Sequence, residues 1–137
     1  MDAVVIDASL VAAFILREEQ GEKLDAVLLD AAAEKLTLHA PPLLSYEMIN
    51  ILVIAERQKR ITPEQALDAR HEFELLPIQQ DGTPGITVRE RTHELAKRHA
   101  ITAYDACYLE LGQRLSARLL TLDRDLLKLK RYYKWIA

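Results

Sequence analysis

The chain is poor in the residues that mark several common architectures. One cysteine, Cys107, in 137 residues allows no internal disulfide, and no Cys/His spacing suits structural zinc. A reducing cytoplasm fits best. Four glycines in all, with neither G-x-x-x-x-G-K-[ST] nor G-x-G-x-x-G, oppose the nucleotide-binding folds. The longest early apolar run, "LVAAFIL" at Leu10 to Leu16, is too short to span a bilayer, and without a basic stretch before it is no signal peptide. Neither charge sign dominates: the net charge of −3 does not announce a nucleic-acid binder, although whole-chain charge hides local clusters.

What is present is the composition of a compact domain, 50% hydrophobic and 28% charged. This length predicts one domain with one sizeable core, covering residues 1–137. "AVVID" at Ala3 to Asp7 is β-branched and unbroken, as a strand buried on both faces should be. Further strands are expected at Lys35–Ala40, Leu76–Gln79 and Ala117–Asp123, with an edge strand in "YYKWIA" at the end. Helical patterns lie between them at Leu10–Arg17, Gly21–Glu34, Leu43–Arg60, Pro63–Leu75, Val88–His99 and Tyr104–Leu115. Thr62, Pro63 and Gln65 form a capping box with a first-turn proline. "QQDGTPG" at Gln79 to Gly85 reads as a flexible connection. Alternating strands and helices predict an α/β protein with a mostly parallel, covered sheet.

Within this frame the acids fall at telling places. Asp7 and Asp123 end predicted strands, and the carboxyl ends of parallel strands share one edge, where α/β proteins bind ligands. Asp105 and Glu47 each open a predicted helix that can begin at the same edge. Asp105 also invites a bland reading, because Thr102 three residues earlier makes a capping box and a first-turn acid suits the helix dipole. Glu47 has a similar one, but it lies in "PPLLSYEMINILVIA", which is almost wholly apolar, so an acid there needs a partner or a cation. Asn50, three residues on, shares its helical face.

Four converging carboxylates repel one another, and a divalent cation resolves the conflict. Oxygen-only ligands select Mg²⁺ or Mn²⁺. Mg²⁺ held by carboxylates takes remaining ligands from phosphate, which points to phosphodiester hydrolysis by metal-activated water.

The same segments resemble those of the PIN-domain family, in particular its VapC-like toxin branch: "VVIDAS", "PPLLSYEMIN", "TAYDACYLELG" and "LLTLDRDL", in that order and spacing. The resemblance implies a three-layer α/β/α sandwich and a Mg²⁺-dependent endoribonuclease with Asp7, Glu47, Asp105 and Asp123 as its acidic pocket. Ser9 and Thr121 would be supporting hydroxyls. It further implies a homodimer and a small antitoxin, with a basic tail, that blocks the pocket. Leu126 departs from the family, which often has an aromatic residue there. "LDRD" leaves two acids open, Asp123 and Asp125; Asp123 at the strand end is preferred, with Asp125 in the first turn of a following helix.

The histidines at 39, 71, 93 and 99 read as structural or solvated, Cys107 as a small buried hydrophobe, and Tyr108 as core. Basic residues gather late in the chain, so a positive rim could hold RNA, with Arg98, Tyr104 and Arg124 as contacts. A haloacid-dehalogenase-type enzyme would need an aspartate at position 9, which is Ser9. A receiver module would need an acidic pair at the first strand end and a late lysine, and has neither. A non-catalytic metal-binding or interaction domain of the same fold remains a competing reading, as does a solitary nuclease in place of a toxin.

Overall fold

The computed structural model describes residues 1–137. Four parallel strands form one sheet: β1 (Asp2–Ile6), β2 (Leu36–Ala40), β3 (Ile78–Gln80) and β4 (Arg118–Leu120), in the order β3-β2-β1-β4. Seven helices surround them: α1 (Ala8–Ile15), α2 (Lys23–Ala32), α3 (Leu43–Arg57), α4 (Pro63–Leu75), α5 (Ile86–His99), α6 (Ala103–Leu115) and α7 (Arg124–Leu127). Short 3-10 turns add Glu19–Glu22 and Lys128–Arg131. No helix is long and apolar enough to cross a membrane.

Alternation along the central strand divides the core. Val4 and Ile6 face α1 to α4, among Leu10, Leu24, Leu38, Leu44 and Met48, whereas Val5 faces α5 to α7, among Leu95, Leu109, Leu119 and Leu126. All three β1 residues are fully buried, as a strand covered on both faces requires. The result is a three-layer α/β/α sandwich.

Several boundaries differ from the sequence reading, each for a local reason. The second helix begins at Lys23, because Glu19–Glu22 coils as a 3-10 turn that brings Gly21 against the backbone of α1. A Cβ at Gly21 would lie 2.5 Å from Ala13 and Phe14 backbone atoms, so only glycine fits. Strand β4 ends at Leu120, and Asp123 lies three residues beyond it as the N-cap of α7. The C-terminal segment pairs with β4 through one parallel bridge, Leu119 with Ile136, backed by bonds from Leu119 N to Trp135 O and from Thr121 N to Ala137 O. The connection expected to be flexible is tied down: Asp81 donates its N–H to Ala40 O at 2.8 Å, and Arg89 holds Pro84 O at 2.7 Å.

The scarcity of glycine has a visible consequence. Arg17, Glu34, Lys59, Ala100 and Ser116 all adopt positive φ, and no glycine does. Each follows a helix, where a left-handed residue lets the chain turn away and satisfies terminal carbonyls.

Candidate active site

Asp7 is the residue at which β1 turns into α1. Its side chain caps α1 by accepting from Leu10 N at 3.2 Å, which places its carboxylate at the carboxyl edge of the sheet. The neighbouring strand delivers Thr121 to the same point. Thr121 donates its hydroxyl to Asp7 Oδ2, and Ser9 donates to Oδ1 at 2.6 Å. Each hydroxyl then accepts from the turn after β4, Ser9 from Leu122 N and Thr121 from Asp123 N, both at 2.9 Å. Two hydroxyls therefore clip the turns after β1 and β4 together and fix Asp7, which is 4% exposed. Burial raises its carboxyl above the ordinary range, the hydrogen bonds from Ser9, Thr121 and Leu10 oppose this, and Asp123 adds to it.

Glu47 lies in the second turn of α3, whose first turn contains no acid, so it does not serve the helix dipole. Half-buried, it accepts the Tyr108 hydroxyl from α6 at 2.6 Å. Burial raises its carboxyl and Tyr108 partly offsets this, while Asp7 and Asp123 push it further up. Asn50 is exposed and makes no hydrogen bond to Glu47.

Asp105 is the third residue of α6. Thr102 caps that helix by accepting from Asp105 N at 3.0 Å, but the reciprocal arm of a capping box, made by Gln65 at α4, is not made here. The carboxylate is left for other work. Burial, followed by repulsion from Asp123, Asp125, Asp7 and Glu47, raises its carboxyl to about 6. Asp123 caps α7 through Oδ1, accepting from Asp125 N at 2.7 Å and Leu126 N at 3.1 Å. Carboxylate oxygens of Asp105, Asp123 and Asp125 lie within 4.8 Å of one another. Asp125, exposed in the first turn of α7, thus joins this group together with Asp123. Asp7 and Glu47 stand outside the trio, one turned into its hydroxyls and the other held by Tyr108, and reach it through their charge.

None of Asp7, Glu47, Asp105 or Asp123 has a salt bridge; only Asp125 touches a cation, Lys128 at 3.7 Å. Five mutually repelling carboxylates with one peripheral lysine form a donor set of oxygens only, and this fits a hard divalent cation.

Two features of this region were missed from the sequence, the role of the Tyr108 hydroxyl and the side chain of Glu110. The Tyr108 ring is core, at 2% exposure, but its hydroxyl serves Glu47. Glu110 is 1% exposed and paired with Arg114, which also clamps Asp81 beyond β3. The i, i+4 spacing of Glu110 and Arg114 was the available signal. That clamp removes Arg114 from any free basic rim. Cys107 packs at the margin of the core, half-buried and bonded to Tyr104 O at 2.9 Å; burial and the nearby acids push its thiol up to about 12, so it is no nucleophile. Of the candidate RNA contacts, Tyr104 and Arg124 are exposed and Arg98 pairs with Glu94. His39 bonds Thr37, His99 bonds Tyr133, and His71 and His93 are exposed.

Comparison with known proteins gives the family and the fold. The model of the PIN domain matches residues 4–132. Ribonuclease VapC3 of Pyrobaculum aerophilum is 31% identical over 127 residues, covering 90% of this chain and 91% of the relative. The crystal structure of PAE2754, also from Pyrobaculum aerophilum, superimposes with a TM-score of 0.67 at 26% identity, covering 92% of this chain and 86% of that one.

Proposed function

The chain belongs to the PIN domain family, and on that premise we propose that it is a Mg²⁺- or Mn²⁺-dependent endoribonuclease, one domain over residues 1–137, acting as the toxin of a toxin–antitoxin pair in the cytoplasm. The observation that carries the reading is the gathering of uncompensated acids at the carboxyl edge of the sheet. Asp7, Glu47, Asp105 and Asp123 are the proposed ligands and catalytic groups, with Ser9, Thr121 and Asn50 in support. Bound among them, the cation would supply the charge that lets these carboxylates coexist, acidify water, and neutralise charge on the scissile phosphate and leaving oxygen.

The chain's own groups prepare that site. Ser9 and Thr121 hold both Asp7 oxygens in one orientation at the edge of the site. Tyr108 keeps Glu47 aimed and favours its ionised form. The raised carboxyl of Asp105 takes up protons near pH 6, so protons and cation compete for it. Arg98, Tyr104 and Arg124 are the proposed contacts to RNA.

Partners follow from the same surfaces. A pocket built for a cation also accepts arginine or lysine, which supports an antitoxin whose basic tail enters it. Tyr46, Ile49 and Val53 form an exposed apolar stripe on α3 that supports a protein partner, and a homodimer is proposed.

The test incubates purified protein with single-stranded RNA in Mn²⁺, Mg²⁺ or EDTA. Fragments should form only with a cation and only from wild type, not from Asp105→Asn. Equal cleavage in EDTA, or by the variant, would overturn the reading.

A further inference from the structure

The last stretch of the chain combines charge and aromatic surface in a way the acidic site does not use. Residues 124–134 contain five basic side chains, Arg124, Lys128, Lys130, Arg131 and Lys134, against one acid, Asp125. Lys130, Arg131 and Lys134 are exposed and form no salt bridge. Among them Tyr132 is 59% exposed. The Arg131 guanidinium lies 4.9 Å from the centre of its ring, and the His99 ring lies 5.7 Å from it, tilted by 38°.

An exposed tyrosine on a mobile tail would be unremarkable, but this one rests on a fixed base. Tyr133 beside it bonds His99 at 2.8 Å and packs against Trp135. Trp135 sits over Gly112, where a Cβ would meet its ring at 2.7 Å, and Ile136 is fully buried on β4. The exposed ring thus stands on an ordered base, with little entropy left to lose when a planar ligand stacks on it.

One of the two elements that bear this patch also bears acids of the site, and the other leads into the helix that carries Asp105. Asp123 caps α7, which runs directly into the 3-10 turn Lys128–Arg131 and reaches Tyr132 after about 14 Å, from the rise of helical residues. His99 ends α5, six residues before Asp105.

We infer that Tyr132, flanked by Lys130, Arg131 and His99, is a base-stacking platform that binds single-stranded RNA a few nucleotides from the acidic site. The exposed ring offers the stacking face, and the unpaired cations neutralise the adjoining phosphates, the combination by which single strands are held. Duplex bases, already stacked on one another, cannot use it. The identity of the polymer rests on the ribonuclease reading; the platform's existence does not.

The experiment measures binding of a labelled single-stranded RNA to the full chain by fluorescence anisotropy in EDTA, so that no cleavage is required. Tyr132→Ala should weaken binding about tenfold, whereas Tyr132→Phe should bind like wild type. The pair Lys130→Ala, Arg131→Ala should lower the slope of log affinity against log salt by about 1.4, at roughly 0.7 for each charge. Tyr132→Ala should bind inorganic polyphosphate as wild type does. Wild-type RNA affinity in Tyr132→Ala, or equal loss for RNA and polyphosphate, would overturn the platform. Preference of wild type for polyglutamate over RNA at equal ionic strength would assign the patch to an acidic protein and overturn it too. Absence of cleavage in Mn²⁺ alongside the expected binding pattern would count against the nuclease reading alone.

Discussion

Tyr108 donates its hydroxyl to Glu47 at 2.6 Å, joining α6 to α3 across 61 residues of sequence. Removing that hydroxyl in Tyr108→Phe keeps the buried ring and costs about 1 kcal/mol in stability. Glu47 then loses the bond favouring its charged form, so its carboxyl rises further. RNA cleavage should therefore fall most at the acidic end of the profile and recover as pH rises and the carboxyl ionises again. A pH–rate profile of the variant beside wild type checks this; a uniform loss at all pH values would show a packing role only.

Asp105 gives the cation-free protein a stability that declines as pH rises. Its carboxyl is raised from 3.8 to about 6 in the folded state, so between those values the folded chain binds more protons than the unfolded one. The contribution is fully present below about pH 4 and lost as pH passes through about 6. Asp7 and Glu47 are shifted in the same direction. Tm in EDTA should therefore fall by a few degrees between pH 5 and about pH 7.5 through these groups, and Asp105→Asn should flatten the curve.

Mn²⁺ should raise Tm through preferential binding to the folded chain, and Asp7→Asn should reduce that rise while remaining folded. Asparagine retains an acceptor for one of the two hydroxyls at position 7 and removes a buried carboxylate. In the "LDRD" segment, Asp123→Asn should cost more cleavage activity than Asp125→Asn, because Asp123 is fixed by two backbone N–H groups and Asp125 is exposed. Cleavage rates and thermal shifts for the three variants measure this, with the reverse ranking making Asp125 the principal acid.

Arg114→Ala leaves Glu110 buried without its partner and releases Asp81. The expected cost is about 3 kcal/mol or more, the usual result of orphaning a buried charge. Glu110→Gln in the same chain should recover most of it. Urea unfolding of the single and double variants checks the pair.

Ser116 ends α6 at φ 51° and ψ 42°. Ser116→Gly removes the Cβ penalty of that conformation and should stabilise the protein by about 0.5–1 kcal/mol, without effect on cleavage. Denaturant midpoints decide it.

The strands and helices were legible because the sheet is covered on both faces: Val4, Val5 and Ile6 form an apolar run, and helix starts such as Thr62-Pro63-Gln65 carry their own signals. Strand ends were not, since Asp7 and Asp123 act as helix caps and their side-chain bonds decide where pairing stops. The approach of acids to one edge followed from the parallel run of the strands, whose carboxyl ends share that edge. Which of them crowd together did not, because it depends on the hydroxyls that turn Asp7 aside and on Tyr108, a core residue with one polar atom in the site. The Glu110–Arg114–Asp81 clamp needed a contact across 33 residues that no local pattern encodes.

The central claim is that these carboxylates form one cation site, and calorimetric titration of Mn²⁺ into the RNA-free protein tests it most directly. The account predicts saturable binding to wild type that is lost in Asp105→Asn and weakens as pH falls below about 6, where protons compete for Asp105. Equal binding by wild type and Asp105→Asn, or no binding to either folded protein, would contradict it.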